Sequence, residues 1–298
     1  MDRKTKKLIL LISAVLIIIS SIPYLYGWAI APANTVYLGN GLFNPHDSHV
    51  YYAYIEQVKS GRWLFNDVFT SEAHKPFLNI FWLVIGLMAK FFSLSPILAF
   101  HLARIILIPI FVFTIFKFLD RAWLNDAQKQ FKTHLALAIF FFTSGIGGWM
   151  ALLATKNTMY PAEVWWPEGY AFFSIYASPH FIASWILMVG SLYFYLLGIQ
   201  TKNYKKIIWG GFLGAILVQF HTFYLALLIP LTLIFLLVKY KKNHPFIFWY
   251  TALYNIFFIP VILYYFLLVK TDQIMSKRLM ENIMHTPQPE IFLFFVFG

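Results

Sequence analysis

The segment Phe77-Leu78-Asn79-Ile80-Phe81-Trp82-Leu83-Val84-Ile85-Gly86-Leu87-Met88-Ala89-Lys90-Phe91-Phe92 decides the architecture. It has 16 residues, includes Asn79 and reaches Lys90 near its end. A membrane span needs roughly 20 apolar residues. Phe77–Phe92 is therefore either a short span or a helix lying along the interface. Charge elsewhere in the chain decides between them.

The surrounding sequence is that of a multi-span helical membrane protein. Of the 298 residues, 60% are hydrophobic and 12% charged, against roughly 45–50% and about 25% in a soluble domain. Runs of span length occur at Leu8–Trp28, Leu98–Phe118, His134–Ala154, Phe181–Ile199 and Phe246–Val269. The run Ile207–Val238 has 32 residues and is interrupted by Gln219, His221 and Pro230. Its length and breaks predict two short helices with both ends on one side. A helix bundle in lipid grows laterally as one unit, so residues 1–298 are expected to form a single transmembrane domain.

If Phe77–Phe92 lies in the interface, every basic loop falls on the side of the N-terminus. That side then holds Arg3, Lys4, Lys6, Lys7, Lys117, Arg121, Lys129, Lys132, Lys202, Lys205, Lys206, Lys239, Lys241 and Lys242, 14 of the 23 basic residues. It holds only Asp2, Asp120 and Asp126 of the 12 acids. The positive-inside bias favours this arrangement, with a cytoplasmic N-terminus in a prokaryotic cell membrane. It also accounts for the net charge of +11 as topology determinants facing an anionic leaflet, with membrane lipids and not nucleic acid as the partners. Two extracytoplasmic loops follow, roughly 29–97 and 155–180, the first containing interfacial helices.

The basic start followed by Leu8–Ile19, with Ala29-Ile30-Ala31 behind it, resembles a signal peptide. Its length and the further spans favour an uncleaved first helix. The final stretch Ile291–Phe297 is too short to span, so the natural product is expected to continue past Gly298. The chain has no cysteine, which excludes disulfides, thiolate metal sites and cysteine nucleophiles.

The chemistry-bearing residues concentrate in the two loops. Asn44-Pro45-His46-Asp47-Ser48-His49 precedes Val50–Ser60, where Val50, Tyr51, Tyr54, Ile55 and Val58 make one apolar helical face. Asp47 or Ser48 is placed to N-cap this helix, and Gly61 to end it. Asp47 is equally placed to serve as a general base. Then come His74-Lys75-Pro76 and Arg104. A lipid-embedded arginine either snorkels or has a partner, and Lys75 with Arg104 suits an anionic phosphate. In the second loop, Trp165 and Trp166 fit an aromatic belt. Glu168 and His180, together with His46, Asp47 and His49, are candidates for an acceptor site or a divalent metal, although their spacing matches no defined metal motif. His221 is read as a satisfied polar group or a functional one.

This order of features resembles the GT-C superfamily of integral-membrane glycosyltransferases, including its protein O-mannosyltransferase and lipid A aminoarabinose transferase branches. The likeness rests on His46-Asp47-Ser48 soon after the first span, the loop helix Val50–Ser60, His74-Lys75-Pro76 before an interfacial helix, and Arg104 near the start of the second span. It covers essentially the whole chain. The chain departs from the family in lacking a paired acid beside Asp47 and in having a single proline at Pro76. The resemblance implies a hexosyltransferase-type enzyme with a polyprenyl-phosphate-linked sugar donor and an acceptor on the outer face. Asp47 would be the general base, and Lys75, Arg104 and His74 would bind the donor phosphate. His46, His49, Glu168 and His180 would shape the acceptor site or hold a metal. The alternative is a secondary transporter or lipid flippase, for which His221 and Pro230 are the best features.

Overall fold

The computed structural model describes residues 1–40, 45–143, 167–239 and 245–281, with backbone alone at 45, 46 and 278–281. Among these residues the protein is helical and has no strand; a single antiparallel bridge joins Phe65 and Phe77. Five helical stretches are long and apolar enough to cross a membrane: Arg3–Ala29, Pro96–Ala122, Pro179–Gln200, Thr222–Lys239 and Phe246–Thr271. Ile80–Phe91 is a shorter apolar helix of 12 residues. The expected span His134–Ala154 runs from the helix Lys129–Phe142 into residues outside those described. The residues expected to mark a longer natural product also lie outside them.

The described residues divide into two compact units, Met1–Ala53 with Phe91–Ile182 and Tyr54–Lys90 with Ala183–Met280. The first unit is built on α1 (Arg3–Ala29), α4 (Pro96–Ala122) and α5 (Lys129–Phe142), with the short α6 (Ala171–Ala177) packed on α1 and α5. The starts of α1 and α4 have local causes. The Asp2 carboxylate accepts the Thr5 N–H at 2.7 Å. Ser95 accepts the Leu98 N–H at 3.3 Å, with Pro96 at the first helical position, where its missing N–H costs nothing. Leu16, Ile108, Phe111, Val112, Leu137 and Phe141 are fully buried, and the Phe111 and Phe141 rings meet edge-on at 4.9 Å. Leu10, Leu11, Ile18, Ile106, Phe113 and Ile139 are exposed on the same helices. Helices apolar on all sides suit lipid, where packing and not water exclusion draws them together.

The second unit contains α3 (Ile80–Phe91), α8 (Tyr204–Phe220), α9 (Leu225–Lys239), α10 (Phe246–Ile256), α11 (Ile259–Thr271), α12 (Gln273–Glu281) and most of α7 (Pro179–Gln200). Gly210 and Gly214, four apart on α8, let α7 and α10 approach its backbone. A Cβ at Gly210 would lie 2.9 Å from the Ser191 carbonyl, and one at Gly214 would lie 2.8 Å from the Phe258 ring. Ser191 Oγ donates to the Gly210 carbonyl at 2.7 Å and pairs with the Tyr254 hydroxyl at 2.6 Å. Polar contacts of this kind, between small residues, are the usual adhesive of membrane helices.

The 32-residue run does break into two helices. α8 ends at Phe220, His221 leaves helical geometry (φ −137°, ψ 80°), and a single 3₁₀ turn, Thr222–Tyr224, leads into α9. Phe246–Val269, expected as one helix, is interrupted at Phe257 and Phe258. Pro260, in the first turn of α11, lacks the N–H that would carry the helix through.

Candidate functional site

The first candidate cluster lies in the first unit, at the start of α2 (Pro45–Lys59). The helix begins at Pro45, so Asp47 is the third helical residue and neither it nor Ser48 is the cap. This corrects the expectation from sequence: the fixed φ of proline sets the helix start two residues earlier. A carboxylate in the first turn is still favoured by the positive end of the helix dipole. Val50, Tyr54, Ile55 and Val58 are buried as their spacing requires, and Tyr52 joins them. At the far end Gly61 adopts φ +101°. Its N–H reaches the Val58 carbonyl at 2.9 Å, and the Arg62 N–H reaches the Gln57 carbonyl at 3.0 Å. This is the double closure that glycine permits at a helix end.

Asp47 is partly exposed, and Glu168 is in the 3₁₀ turn Pro167–Gly169. The Ser174 hydroxyl pins this turn through the Pro167 carbonyl at 2.9 Å. Burial pushes the Glu168 carboxyl above the usual glutamate range, a backbone hydrogen bond pulls it down, and the negative charge of Asp47 adds to the rise. The two carboxylates are therefore near enough to interact. His180 is 4% exposed. Its Nδ1 pairs with Ser178 Oγ at 2.6 Å, its Nε2 is 3.4 Å from the Tyr51 hydroxyl, and the Tyr51 ring meets it edge-on at 4.7 Å. His49 is exposed and accepts the Asn40 side-chain amide at 2.9 Å. The side chain of His46, and residues 163, 165 and 166, lie outside those described. Among the described residues, no group of three or more histidines and carboxylates is set to hold a metal.

Arg104 belongs to the same unit and is 1% exposed. It does not snorkel, because its guanidinium turns to α1. Nη1 donates to Ser20 Oγ at 2.8 Å and Nη2 to Ser21 Oγ at 3.0 Å. The charge lies over the Tyr24 ring at 4.8 Å. Nε has no partner among the described residues.

Lys75 and His74 belong to the second unit. His74 Nε2 accepts the Asp67 N–H at 2.8 Å, so Nδ1 carries the proton donated to the Glu72 carbonyl at 2.8 Å. Both ring nitrogens hold the loop, and neither is left for a phosphate. The Lys75 side chain is exposed, and its ammonium meets no carboxylate among the described residues. Its backbone N–H donates to the Asp272 carboxylate, which also accepts the Ile274 and Met275 N–H groups at 2.9 and 3.0 Å.

Two anchoring residues were not found from sequence. Asp272 opens α12 as its N-cap, and an acid directly before a helical segment was the available signal. The sequence marks Gln219 only as an interruption of an apolar run. Its amide donates to the Leu78 carbonyl at 2.7 Å and accepts the Ile80 N–H at 2.7 Å. No local signal reveals a partner 139 residues away.

No protein-family model, curated protein or solved structure matches the chain.

Proposed function

We propose that the protein is a multi-pass membrane glycosyltransferase that moves a sugar from a polyprenyl-phosphate-linked donor to an acceptor at the outer face. One observation carries the proposal. Asp47, held in the first turn of a loop helix, lies near enough to the half-buried Glu168 for its charge to add to the rise of that carboxyl. Two carboxylates in unlike environments suit the separate tasks of accepting a proton and positioning a substrate. In this reaction the acceptor hydroxyl oxygen forms its bond to the anomeric carbon as the bond to the lipid phosphate breaks. Asp47 takes the hydroxyl proton, and the phosphate leaves with the bonding electron pair. Arg104 in the first unit and Lys75 in the second are each candidates to supply positive charge to the leaving phosphate, and His74 shapes the loop that carries Lys75. Glu168 and His180 border the acceptor. The N-terminus is cytoplasmic, and α2 and α3 lie along the outer interface.

Asp47→Asn is expected to abolish transfer from a lipid-linked donor while leaving expression and membrane insertion intact. Full activity in that variant removes Asp47 as the base. The helix break at His221, where Nδ1 pairs with Ser184 Oγ at 3.0 Å, favours the second reading, a transporter with a discontinuous helix. Solute uptake by proteoliposomes without any lipid-linked donor would establish that reading instead.

A further inference from the structure

A cavity of about 450 Å³ lies at the N-terminal end of α1, in the first unit. It takes no part in the site above. Its walls are Asp2 and Thr5 from the start of α1, Lys117 and Asp120 from the last turns of α4, and Lys129, Gln130, Thr133 and His134 from α5. The volume falls within the range of ordinary small-ligand sites, roughly 300–1,000 Å³.

The acids around it are already engaged. Asp2 accepts the Thr5 N–H at 2.7 Å and the Gln130 side-chain amide at 3.1 Å. Asp120 holds the Lys129 ammonium at 2.9 Å. Asp126, just before α5, holds Lys132 at 2.5 Å and accepts the Gln128 N–H at 2.8 Å. His134 Nε2 is 3.2 Å from the Thr5 hydroxyl.

The groups left over favour an anion. The Lys117 ammonium meets only the Phe113 ring, at 5.5 Å, and no carboxylate among the described residues. Thr133 is 1% exposed, and its hydroxyl is without a partner among the described residues. α5, 14 residues long, begins at this wall, and its N-cap residue Gln128 makes no side-chain cap bond. Gln128 thus leaves the first N–H groups of α5 without a side-chain cap of its own, while the Asp126 carboxylate beside that start is held by Lys132 and the Gln128 N–H. A compact anion with several acceptor oxygens matches a lysine point charge, a buried hydroxyl and a helix start together.

We propose that this cavity binds a phosphate group, carried by an anionic lipid headgroup or present as free phosphate. The inference does not depend on glycosyl transfer. The test uses the full chain in nanodiscs of phosphatidylglycerol or phosphatidylcholine, with lipid adducts counted by native mass spectrometry, and a parallel titration of detergent-solubilised protein with inorganic phosphate. Wild type is expected to retain phosphatidylglycerol in preference to phosphatidylcholine. Lys117→Gln and Thr133→Val are each expected to cut that retention about tenfold. Binding of inorganic phosphate that both variants abolish, without lipid preference, upholds the site and assigns it to soluble phosphate. Retention and phosphate binding that neither variant alters overturn the proposal. Lys117 is exposed, so its variant reports on binding even if Thr133→Val disturbs packing.

Discussion

Asp272 is the most exacting place to perturb the loop that carries Lys75. Its carboxylate is 5% exposed and accepts three backbone N–H groups, those of Lys75, Ile274 and Met275. Asp272→Ala removes a helix cap, worth about 1 kcal/mol, and takes from the part-buried Lys75 N–H a bond to a charged acceptor worth about 2 kcal/mol. The loss of about 3 kcal/mol corresponds to roughly a hundredfold increase in the opening equilibrium. Hydrogen–deuterium exchange of the protein in nanodiscs reads this directly in peptides covering residues 72–78 and 273–277. The wild type should show a matching dependence on acid. Burial raises the Asp272 carboxyl, and its three N–H partners outweigh burial and hold it below its ordinary value of 3.8. Its contribution is therefore complete above that value and is lost as pH falls through the lower folded one. If exchange at residues 74–77, corrected for intrinsic rate, changes less than threefold in Asp272→Ala, Asp272 does not anchor the loop.

Arg104→Ala should weaken donor binding at least tenfold, since it removes a buried cation; unchanged donor affinity in an equilibrium binding assay takes Arg104 out of the phosphate role. Gly210→Ala places a methyl group 2.9 Å from the Ser191 carbonyl. It should cost about 1–3 kcal/mol by overpacking, seen as a lowered unfolding temperature. For Glu168, the raised carboxyl means that folded-state stability declines as pH rises from the ordinary value of 4.5 through its raised value. Glu168→Gln should flatten that decline in a stability profile against pH, and an unchanged profile assigns it to another group.

The long helices were legible because an apolar run of span length leaves the backbone no alternative in lipid but to bond within itself. The breaks at His221 and before Pro260 differ in how they could be read. Gln219 and His221 marked the first, whereas the second fell between Asn255 and Pro260 in a stretch whose length alone fits a single span. In α2 the buried face and Gly61 followed from spacing and from the conformational freedom of glycine. The helix start did not, because Pro45 and Asp47 both suit a first turn and only one sets the boundary. The candidate site was legible as a list of residue types, not as partnerships. Asp47 and Glu168 come within electrostatic reach across more than a hundred residues. His74, chosen as a phosphate ligand, has both nitrogens turned to nearby backbone. Which side chains spend their hydrogen bonds on the chain itself depends on packing that periodicity does not encode.

The Gln219 contact also has a consequence for biosynthesis. The Leu78 carbonyl and the Ile80 N–H, at the threshold of α3, find their partner only when residue 219 has been made. At synthesis rates of about 5–20 residues per second, the 139 intervening positions take roughly 7–28 s. Throughout that interval the two backbone groups need water. The contact that fixes the threshold of α3 therefore forms late in translation although α3 is encoded early.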